Sequence, residues 1–269
     1  MRCHHLLLAI AMFTLSARAD IVVFDDAKLP VRLSAPATRI LTLSPHATEM
    51  LVAIGAEKKI VAAAQFFDYP ETLHQTPKIN SFGSLDREAI LIFQPDLVIA
   101  WASGNRPADI QWLKDAHIPV FLSEPKTLAD IADNLEKIGM LTGRNTIAKQ
   151  AAQTFMQRIN HACPHRKNSD FASVYYEVWH APAMTIGGKH WLNEILQLAH
   201  LKNIFSSVAR GSFTVATEEL LARSPQYIIT SQPQAPRQIH TAKILLASPE
   251  LGRPGPRIVE GIEALCDQL

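Results

Sequence analysis

The chain has 269 residues, of which 48% are hydrophobic and only 11 are glycine, a composition that excludes a disordered chain and allows two modest hydrophobic cores. Arg2 and Arg18 lie in a predicted leader, and without them 24 basic residues face 25 acidic ones, a formal charge of −1. This near-neutral balance argues against nucleic acid or an anionic membrane surface as the main partner.

Residues 1–19 have the layout of a cleavable secretory signal peptide. A short basic start is followed by an apolar run over residues 6–15 and by small residues that suit cleavage after Ala19. The run is too short to cross a bilayer, and Cys3 precedes it, so no cysteine is placed for attachment of a lipid. The sequence therefore predicts a soluble protein exported to the periplasm, with a mature chain that begins at Asp20.

Strand and helix patterns alternate through residues 20–144. After a hairpin over residues 21–33, apolar runs predict strands, and amphipathic segments predict helices between them. The predicted strands cover 39–43, 60–64, 97–101 and 120–122, and the predicted helices cover 47–54, 86–93, 108–116 and 128–140. Because strands that alternate with helices pair in parallel, we expect an N-terminal α/β lobe with a parallel sheet.

A single long helix is predicted over residues 145–165. Its apolar residues recur every fourth position, Asn145 suits the N-cap, and Pro164 suits the end of the helix. Such a helix extends about 30 Å, which is enough to cross a small domain. We interpret it as a stiff linker between the N-terminal lobe and a C-terminal lobe over residues 166–269. The apolar face is formed by Ile147, Ala151, Phe155 and Ile159.

The C-terminal lobe repeats the design of the first. Residues 88–99 match residues 218–229 at a constant offset: a glutamate opens a short helix, a proline ends it, and an apolar strand follows. Further patterns predict a strand over 172–178, a turn over 182–188 and helices over 192–198 and 258–266. The predicted fold class is α/β, with two parallel-sheet lobes joined by one long α-helix and a ligand cleft between them. Chance similarity between two common helix-Pro-strand units is the alternative.

Catalytic and metal-binding signatures are missing. The chain has no nucleophile elbow, phosphate-binding glycine loop, His-Glu-x-x-His or Cys-x-x-Cys motif, so we predict neither catalytic residues nor a metal site. His161 and His165 have helical spacing, but Pro164 lies between them, and we expect exposed histidines at a helix end. Cys163 and Cys266 remain in the mature chain, either as a disulfide or as two buried thiols.

Aromatic rings lie at the ends of predicted elements rather than inside helices. A cleft for a large, partly apolar ligand requires such rings, although ordinary packing within a lobe explains any one of them equally well. The rings are Phe66, Tyr69, Phe82, Trp101, Trp179 and Phe213.

Seven motifs occur in an order that resembles periplasmic substrate-binding proteins of the helical-backbone type, which serve importers of cobalamin, haem and siderophores. They are RILTLSPHATE at 39–49, FDYP at 67–70, PDLVIAW at 95–101, PAMTIGG at 182–188, NIF at 203–205, LARSP at 221–225 and RPGPRI at 253–258. Within this family the motifs are most similar to those of the cobalamin carriers. The resemblance implies a monomer that carries cobalamin or a related corrinoid as transported ligand, with no resident cofactor. Haem or a metal-siderophore complex is the alternative cargo.

The resemblance also implies roles for individual residues. Delivery is to an ABC importer with a dimeric permease and two ATPases, and Glu88 and Glu218 fall on the glutamates that pair with arginines of the two permease subunits. Glutamates favoured by the helix dipole are the alternative explanation. The positions that contact ligand in the family fall on Phe66, Phe82, Trp101, Met184 and Arg253. A further ligand-contacting tryptophan of the second lobe falls near Ser212 or Phe213, and His46 stands near the cleft where the family has a small residue. The aspartate that accompanies the arginine in the family has no clear counterpart, because Pro249 stands at that spacing with Glu250 beside it.

Overall fold

A small hairpin precedes a five-stranded parallel sheet. The computed structural model describes residues 20–81, 83–166, 170–234, 239 and 241–269, so the predicted signal peptide and Phe82 lie outside the described residues. The hairpin pairs β1 (Ile21–Phe24) with β2 (Pro30–Leu33). The first sheet contains β3 (Ile40–Thr42), β4 (Ile60–Ala64), β5 (Lys78–Ile79), β6 (Leu97–Trp101) and β7 (Val120–Ser123), in the spatial order β5-β4-β3-β6-β7. All its strand pairs are parallel, which confirms the prediction.

Four helices cover the two faces of the first sheet. They are α1 (Pro45–Ala53), α2 (Arg87–Phe93), α3 (Pro107–Asp115) and α4 (Leu128–Thr142). Successive strand residues point to opposite faces. Ile40 and Leu97 therefore join a core with α1 and α4, whereas Leu41 and Val98 join a second core with α2 and α3. With both faces covered, the ends of the strands are where a ligand site can form.

The long helix predicted over 145–165 is α5 (Asn145–His161), which begins at the predicted residue but ends before the predicted one. Its N-cap is Arg144 and makes no side-chain hydrogen bond, so Asn145 is the first helical residue rather than the cap. Pro164 cannot continue an α-helix, and residues Pro164–Arg166 form a separate 3-10 turn. The helix is therefore shorter than the sequence pattern suggested.

The buried face of α5 differs slightly from the predicted one. Phe155 and Ile159 are buried as predicted, whereas Ile147 is 40% exposed and its neighbour Ala148 is buried in its place. The helix packs along α4, where Gly139 lets the backbone of α4 approach Ala148 closely. Contact with α4 thus rotates the buried face by about one residue from the position that the apolar period alone indicated.

A second sheet follows α5 and is mixed rather than fully parallel. Its parallel part contains β8 (Ala172–Trp179), β10 (Leu201–Asn203), β12 (Tyr227–Thr230) and β13 (Lys243–Leu246). An antiparallel ribbon extends it, formed by β9 (Met184–Ile186) and β11 (Ser212–Thr214) beside the end of β8. The prediction of a simple turn over 182–188 was wrong. The chain reverses between β8 and β9 through a short connection, and only an antiparallel partner can be reached over so few residues.

Among its described residues, this part of the chain also contains the helices α6 (Leu192–Leu198), α7 (Thr217–Arg223) and α8 (Ile258–Cys266). The constant offset seen in the sequence holds in the structure. The same number of residues separates α2 from α7 and β6 from β12. We call the elements from β3 to α4 the first half and those from β8 to α8 the second half.

The two halves share one continuous apolar core. Ile40 of the first sheet, Phe155 of α5, Val174 of the second sheet and Ile258 of α8 all belong to it. Cys163 and Cys266 form a disulfide with a Cα–Cα distance of 5.5 Å, which resolves the question that the sequence left open. None of the helices in the described part of the chain has the length and apolar character needed to cross a membrane.

Candidate functional site

The candidate site begins at the carboxyl ends of the strands in the first sheet. Ser44 follows β3, Phe66 follows β4, and Trp101 and Ser123 are the last residues of β6 and β7. Parallel strands bring their carboxyl ends to one edge of the sheet, and ligands of open α/β sheets bind there. The topology therefore gathers on one edge two of the predicted ligand residues.

His46 is buried beneath this edge, at the second position of α1. Its Nε2 atom makes hydrogen bonds with the hydroxyls of Ser123 (3.2 Å) and Ser44 (3.4 Å). Its ring stands edge-on to that of Trp101, with 5.7 Å between the centroids. Burial lowers the pKa of His46 to about 3, so the imidazole is neutral at physiological pH. His46 thus supports the site as a neutral, hydrogen-bonded ring that helps to hold Trp101.

Arg253 reaches this region from the second half. Its Nη1 and Nη2 atoms donate to the two carboxylate oxygens of Asp68 at 2.6 and 2.7 Å, in a bidentate pair. Nη1 also donates to Oε1 of Glu49 at 3.3 Å. Asp68 lies in the loop after β4 and Glu49 lies on α1, so the guanidinium joins two segments of the first half to the second.

The two carboxylates around Arg253 have opposite electrostatic environments. Glu49 is only 2% exposed, and its burial raises the pKa to about 7 even though Arg253 and Arg257 favour the charged form. Asp68 is partly exposed, and the hydrogen bond from Arg253 lowers its pKa. Asp68 is therefore the constant anionic partner of Arg253, whereas the charge of Glu49 depends on pH near neutrality.

A second arginine lies beside this group. Arg257 donates to Glu250 at 2.9 Å and to Glu260 at 3.1 Å, and its guanidinium lies 4.2 Å from the ring centroid of Tyr69. Because Tyr69 follows Asp68 in the chain, Arg253 and Arg257 hold the same loop from the second half. Glu250 is thus a partner of Arg257 rather than a substitute for the missing aspartate beside Arg253.

Two rings of the first half differ in how they are held. The ring of Phe66 is 58% exposed in the turn after β4. The ring of Trp101 is partly buried and lies against Gly104, where any side chain would overlap it. A glycine is therefore required at position 104 for Trp101 to take this position, while Phe66 offers an apolar surface to solvent.

Met184 and Phe213 lie on the antiparallel ribbon of the second sheet, on opposite faces. Met184 pairs with Thr214, whereas Phe213 pairs with the buried Thr185, and neighbouring residues of a strand point to opposite sides. The ring of Phe213 packs edge-on against Phe205, with 5.5 Å between centroids. Phe213 thus contributes to a local core, and a role in ligand contact remains a prediction for it and for Met184.

Glu88 and Glu218 occupy equivalent places, as the repeat predicts. Each is exposed and is the second residue of its helix, α2 or α7. One turn further along, Leu91 and Leu221 are also exposed, at 55% and 39%, and they are separated along the chain by the same offset as the glutamates. The two helices therefore present the same small acidic and apolar surface twice.

The structure brings His46, Trp101 and Arg253 together, since Gly255, two residues after Arg253, packs against His46 and Glu49. The sequence analysis did not predict Glu49 and Asp68 as site residues, although both lie inside motifs that carry the family resemblance. The available signal was an acidic residue in each of these two motifs and an arginine far along the chain. Nothing in the local pattern pairs residues that are 185 and 204 positions apart.

A family model described as periplasmic binding protein matches residues 40–253, and the chain belongs to this family. Proteins of the family are carriers rather than enzymes, and the family places the protein in the periplasm.

Among individual relatives, a vitamin B12-binding protein of Vibrio cholerae is 30% identical over 247 residues, covering 87% of this chain and 90% of that protein. The crystal structure of the periplasmic vitamin B12 binding protein BtuF of Vibrio cholerae matches with a TM-score of 0.78 and 28% identity, over 86% of this chain and 96% of that one. The heme-binding protein RhuT from Roseiflexus matches with a TM-score of 0.74 over 86% of this chain and 97% of that one, but at 18% identity it shares the fold alone.

Proposed function

We propose that this protein captures cobalamin or a related corrinoid between its two halves and delivers it to an ABC importer. The similarity to vitamin B12-binding proteins over nearly the whole chain carries the proposal. It gains support from the group at the edge of the first sheet, where Phe66 and Trp101 offer apolar rings and Arg253 offers a guanidinium. A corrinoid has a broad apolar macrocycle and peripheral amides, which suit such rings and such a donor.

Docking to the importer is proposed to use Glu88 and Glu218. Two equivalent carboxylates suit a partner with twofold symmetry, because each helix presents the same contact to each permease subunit. The exposed Leu91 and Leu221 extend this surface with apolar area on both sides. The partner is accordingly a dimeric permease that works with two ATPases, and the carrier acts as a monomer.

The proposed domain organisation is a signal peptide, two lobes and a linker. Residues 1–19 are removed as a signal peptide after Ala19, residues 20–144 and 166–269 form the two lobes, and the segment 145–165 that contains α5 links them. Support for this division comes from the repeated helix-Pro-strand units on either side of α5. The cargo is a transported ligand, and no resident cofactor is proposed.

Calorimetry on the purified, processed protein tests the cargo. Titration with cyanocobalamin should show one site per chain, and the melting temperature should rise with ligand concentration. Titration with hemin is the discriminating control. Tight hemin binding that His46→Ala abolishes, without any response to cyanocobalamin, would overturn the proposal in favour of a haem carrier. The buried, hydrogen-bonded position of His46 argues against that result.

A further inference from the structure

Arg253 is held by two acids of the first half. Asp68 accepts hydrogen bonds from both Nη atoms, and this bidentate pair fixes the plane of the guanidinium. Glu49 accepts a hydrogen bond from Nη1, which fixes the depth of the guanidinium in the protein. The Arg253 side chain is 22% exposed, so it lies close to the surface but is mostly buried. The arrangement is built for position as well as for charge balance.

We propose that Asp68 and Glu49 are positioning residues that hold the guanidinium of Arg253 at the junction of the two halves and thereby set the affinity for the cargo, an inference that rests on the proposed function. An unrestrained arginine side chain loses rotamer freedom when it binds a ligand, and that loss weakens binding. An arginine that is already held in place avoids this loss. Among the described residues, Arg253 makes three hydrogen bonds, which use three of its five N–H groups. The other two N–H groups can donate to a cargo.

The packing around Glu49 explains why its contribution depends on pH. Arg253 and Arg257 face it from the second half and Asp68 from the loop after β4, while the neutral His46 precedes it by three residues on α1. Its second oxygen, Oε2, is buried without a hydrogen-bond partner among the described residues and is packed against Gly255, 2.6 Å from where a Cβ would stand.

Protonation of Glu49 removes one of the two anions that hold Arg253. Burial raises the pKa of Glu49 to about 7, so its carboxylate is ionised at pH 8 and largely neutral at pH 6. Asp68 keeps its charge throughout this range because its pKa is lowered. Cargo affinity should therefore weaken as the pH falls from 8 to 6, and Glu49 should be the cause.

The test measures affinity for cyanocobalamin by calorimetry between pH 6 and pH 8, with the processed full chain. Asp68→Asn should weaken binding about tenfold, the equivalent of one charge-assisted hydrogen bond. Arg253→Lys keeps the positive charge but loses the planar guanidinium that donates to both oxygens of Asp68. This variant should bind cyanocobalamin nearly as weakly as Arg253→Ala. Glu49→Gln should show the weaker affinity of the wild type at pH 6 and no dependence on pH. Glu263→Gln is the matched control, since it removes an ion pair with Arg158 elsewhere, and it should bind as the wild type does.

Additivity separates positioning from a merely structural role. Adding Asp68→Asn to Arg253→Ala should weaken binding no further, because Asp68 acts only through Arg253. Unchanged affinity in Asp68→Asn, or additive losses in the double variant, would overturn the proposal. The proposal would also be overturned if Asp68→Asn lowered the melting temperature but left the affinity for cyanocobalamin and its pH dependence unchanged.

Failure of the proposed function gives a different result. If the wild type does not bind cyanocobalamin, the proposed function fails. The positioning of Arg253 is then tested in the ligand-free protein, by a double-mutant cycle that measures the free energy of unfolding. Coupling between Asp68→Asn and Arg253→Ala would support the held guanidinium, and additive effects would overturn it.

Discussion

Gln94 and Ser224 occupy equivalent places in the two repeated units and adopt the same left-handed backbone conformation, with φ of 44° and 41°. Each is the C-cap of a short helix, each donates its backbone N–H to the carbonyl of the leucine one turn earlier, and each precedes a proline. Residues with a side chain adopt this conformation at a cost. The same strained cap in both units shows that the repeat is a structural repeat and not a chance similarity of two common units.

The repeat extends to how the strands are tied together. Asp96 accepts hydrogen bonds from the backbone of Thr38 and Arg39 just before β3, and Gln226, its equivalent in the second half, accepts one from the backbone of Ser173 in β8. A polar residue after the proline thus anchors the neighbouring strand in both halves. Two helices held in the same way can present Glu88 and Glu218 to a symmetric partner.

Removal of the two glutamates proposed for docking should separate delivery from capture. We expect Glu88→Ala with Glu218→Ala to lower cobalamin uptake about tenfold or more, because each docking contact loses its charge, while binding to the free carrier is unchanged. Uptake is measured in vesicles that contain the permease and ATPases, and binding is measured by calorimetry.

Glu57→Ala with Glu136→Ala removes the same charge from other elements and should leave uptake normal. Lost affinity for cobalamin in the first double variant would mean that these carboxylates serve the cleft instead.

The exposed ring of Phe66 should contribute to binding. Phe66→Ala is expected to weaken cobalamin binding by about 1 kcal/mol, or five- to tenfold, because one aromatic contact with the macrocycle is lost. Phe24→Ala is the matched control, since Phe24 on β1 is 56% exposed against 58% for Phe66. Calorimetry that finds equal affinities for the two variants would contradict a role for Phe66 in the site.

Burial of neutral His46 should make the protein less stable in acid. Its pKa is about 3 in the folded protein against an ordinary value of 6.5, so the unfolded chain binds more protons between these values. The free energy of unfolding should therefore fall as the pH decreases through this window, by up to about 1.4 kcal/mol per pH unit. Burial also lowers the pKa of His190, to about 4, and adds to the effect.

The difference between wild type and His46→Gln isolates the contribution of His46. Denaturant unfolding at pH 7, 6, 5 and 4 should show a shallower pH dependence in the variant. The surface variant His161→Gln serves as control and should follow the wild type. Parallel curves for wild type and His46→Gln would show that His46 is not buried in neutral form.

The disulfide should stabilise the second half. Cys163 and Cys266 are 103 residues apart, and joining them restricts the unfolded chain. We expect Cys163→Ser with Cys266→Ser to lower the free energy of unfolding by about 2–4 kcal/mol. Urea unfolding of the wild type with a reductant should match the variant, and an unchanged midpoint after reduction would contradict the prediction.

Close packing between α4 and α5 should not tolerate a side chain at Gly139. A Cβ there would overlap the Cβ of Ala148, so Gly139→Ala should destabilise the protein by about 1–3 kcal/mol despite the better helix propensity of alanine. Met140→Ala alters the neighbouring exposed position and should change stability by less than about 0.5 kcal/mol. Thermal unfolding of both variants tests this, and a more stable Gly139→Ala would refute the close contact.

Patterns local to the chain determined much of the architecture. The alternation of strands and helices predicts the parallel first sheet, and the constant offset between the repeated units predicts α2, α7, β6 and β12 nearly at their observed positions. The periodic apolar face of α5 was recognised because burial of one face leaves a signal every three or four residues. The three-residue strands β9, β10 and β11 were not recognised, because no longer apolar pattern surrounds them, whereas the equally short β3 lies within the pattern over residues 39–43.

Tertiary structure alone decided which distant groups meet. The motifs contained Glu49, Asp68 and Arg253, but only the folded chain makes them one ion-paired group, and only the folded chain joins Cys163 to Cys266. The physical reason is that sequence periodicity records which side of an element is buried, whereas the partner of a side chain depends on the path of the whole chain. The amino-acid sequence by itself thus determined most of the elements, the repeat and the family resemblance, and the fold decided the chemistry at the junction of the halves.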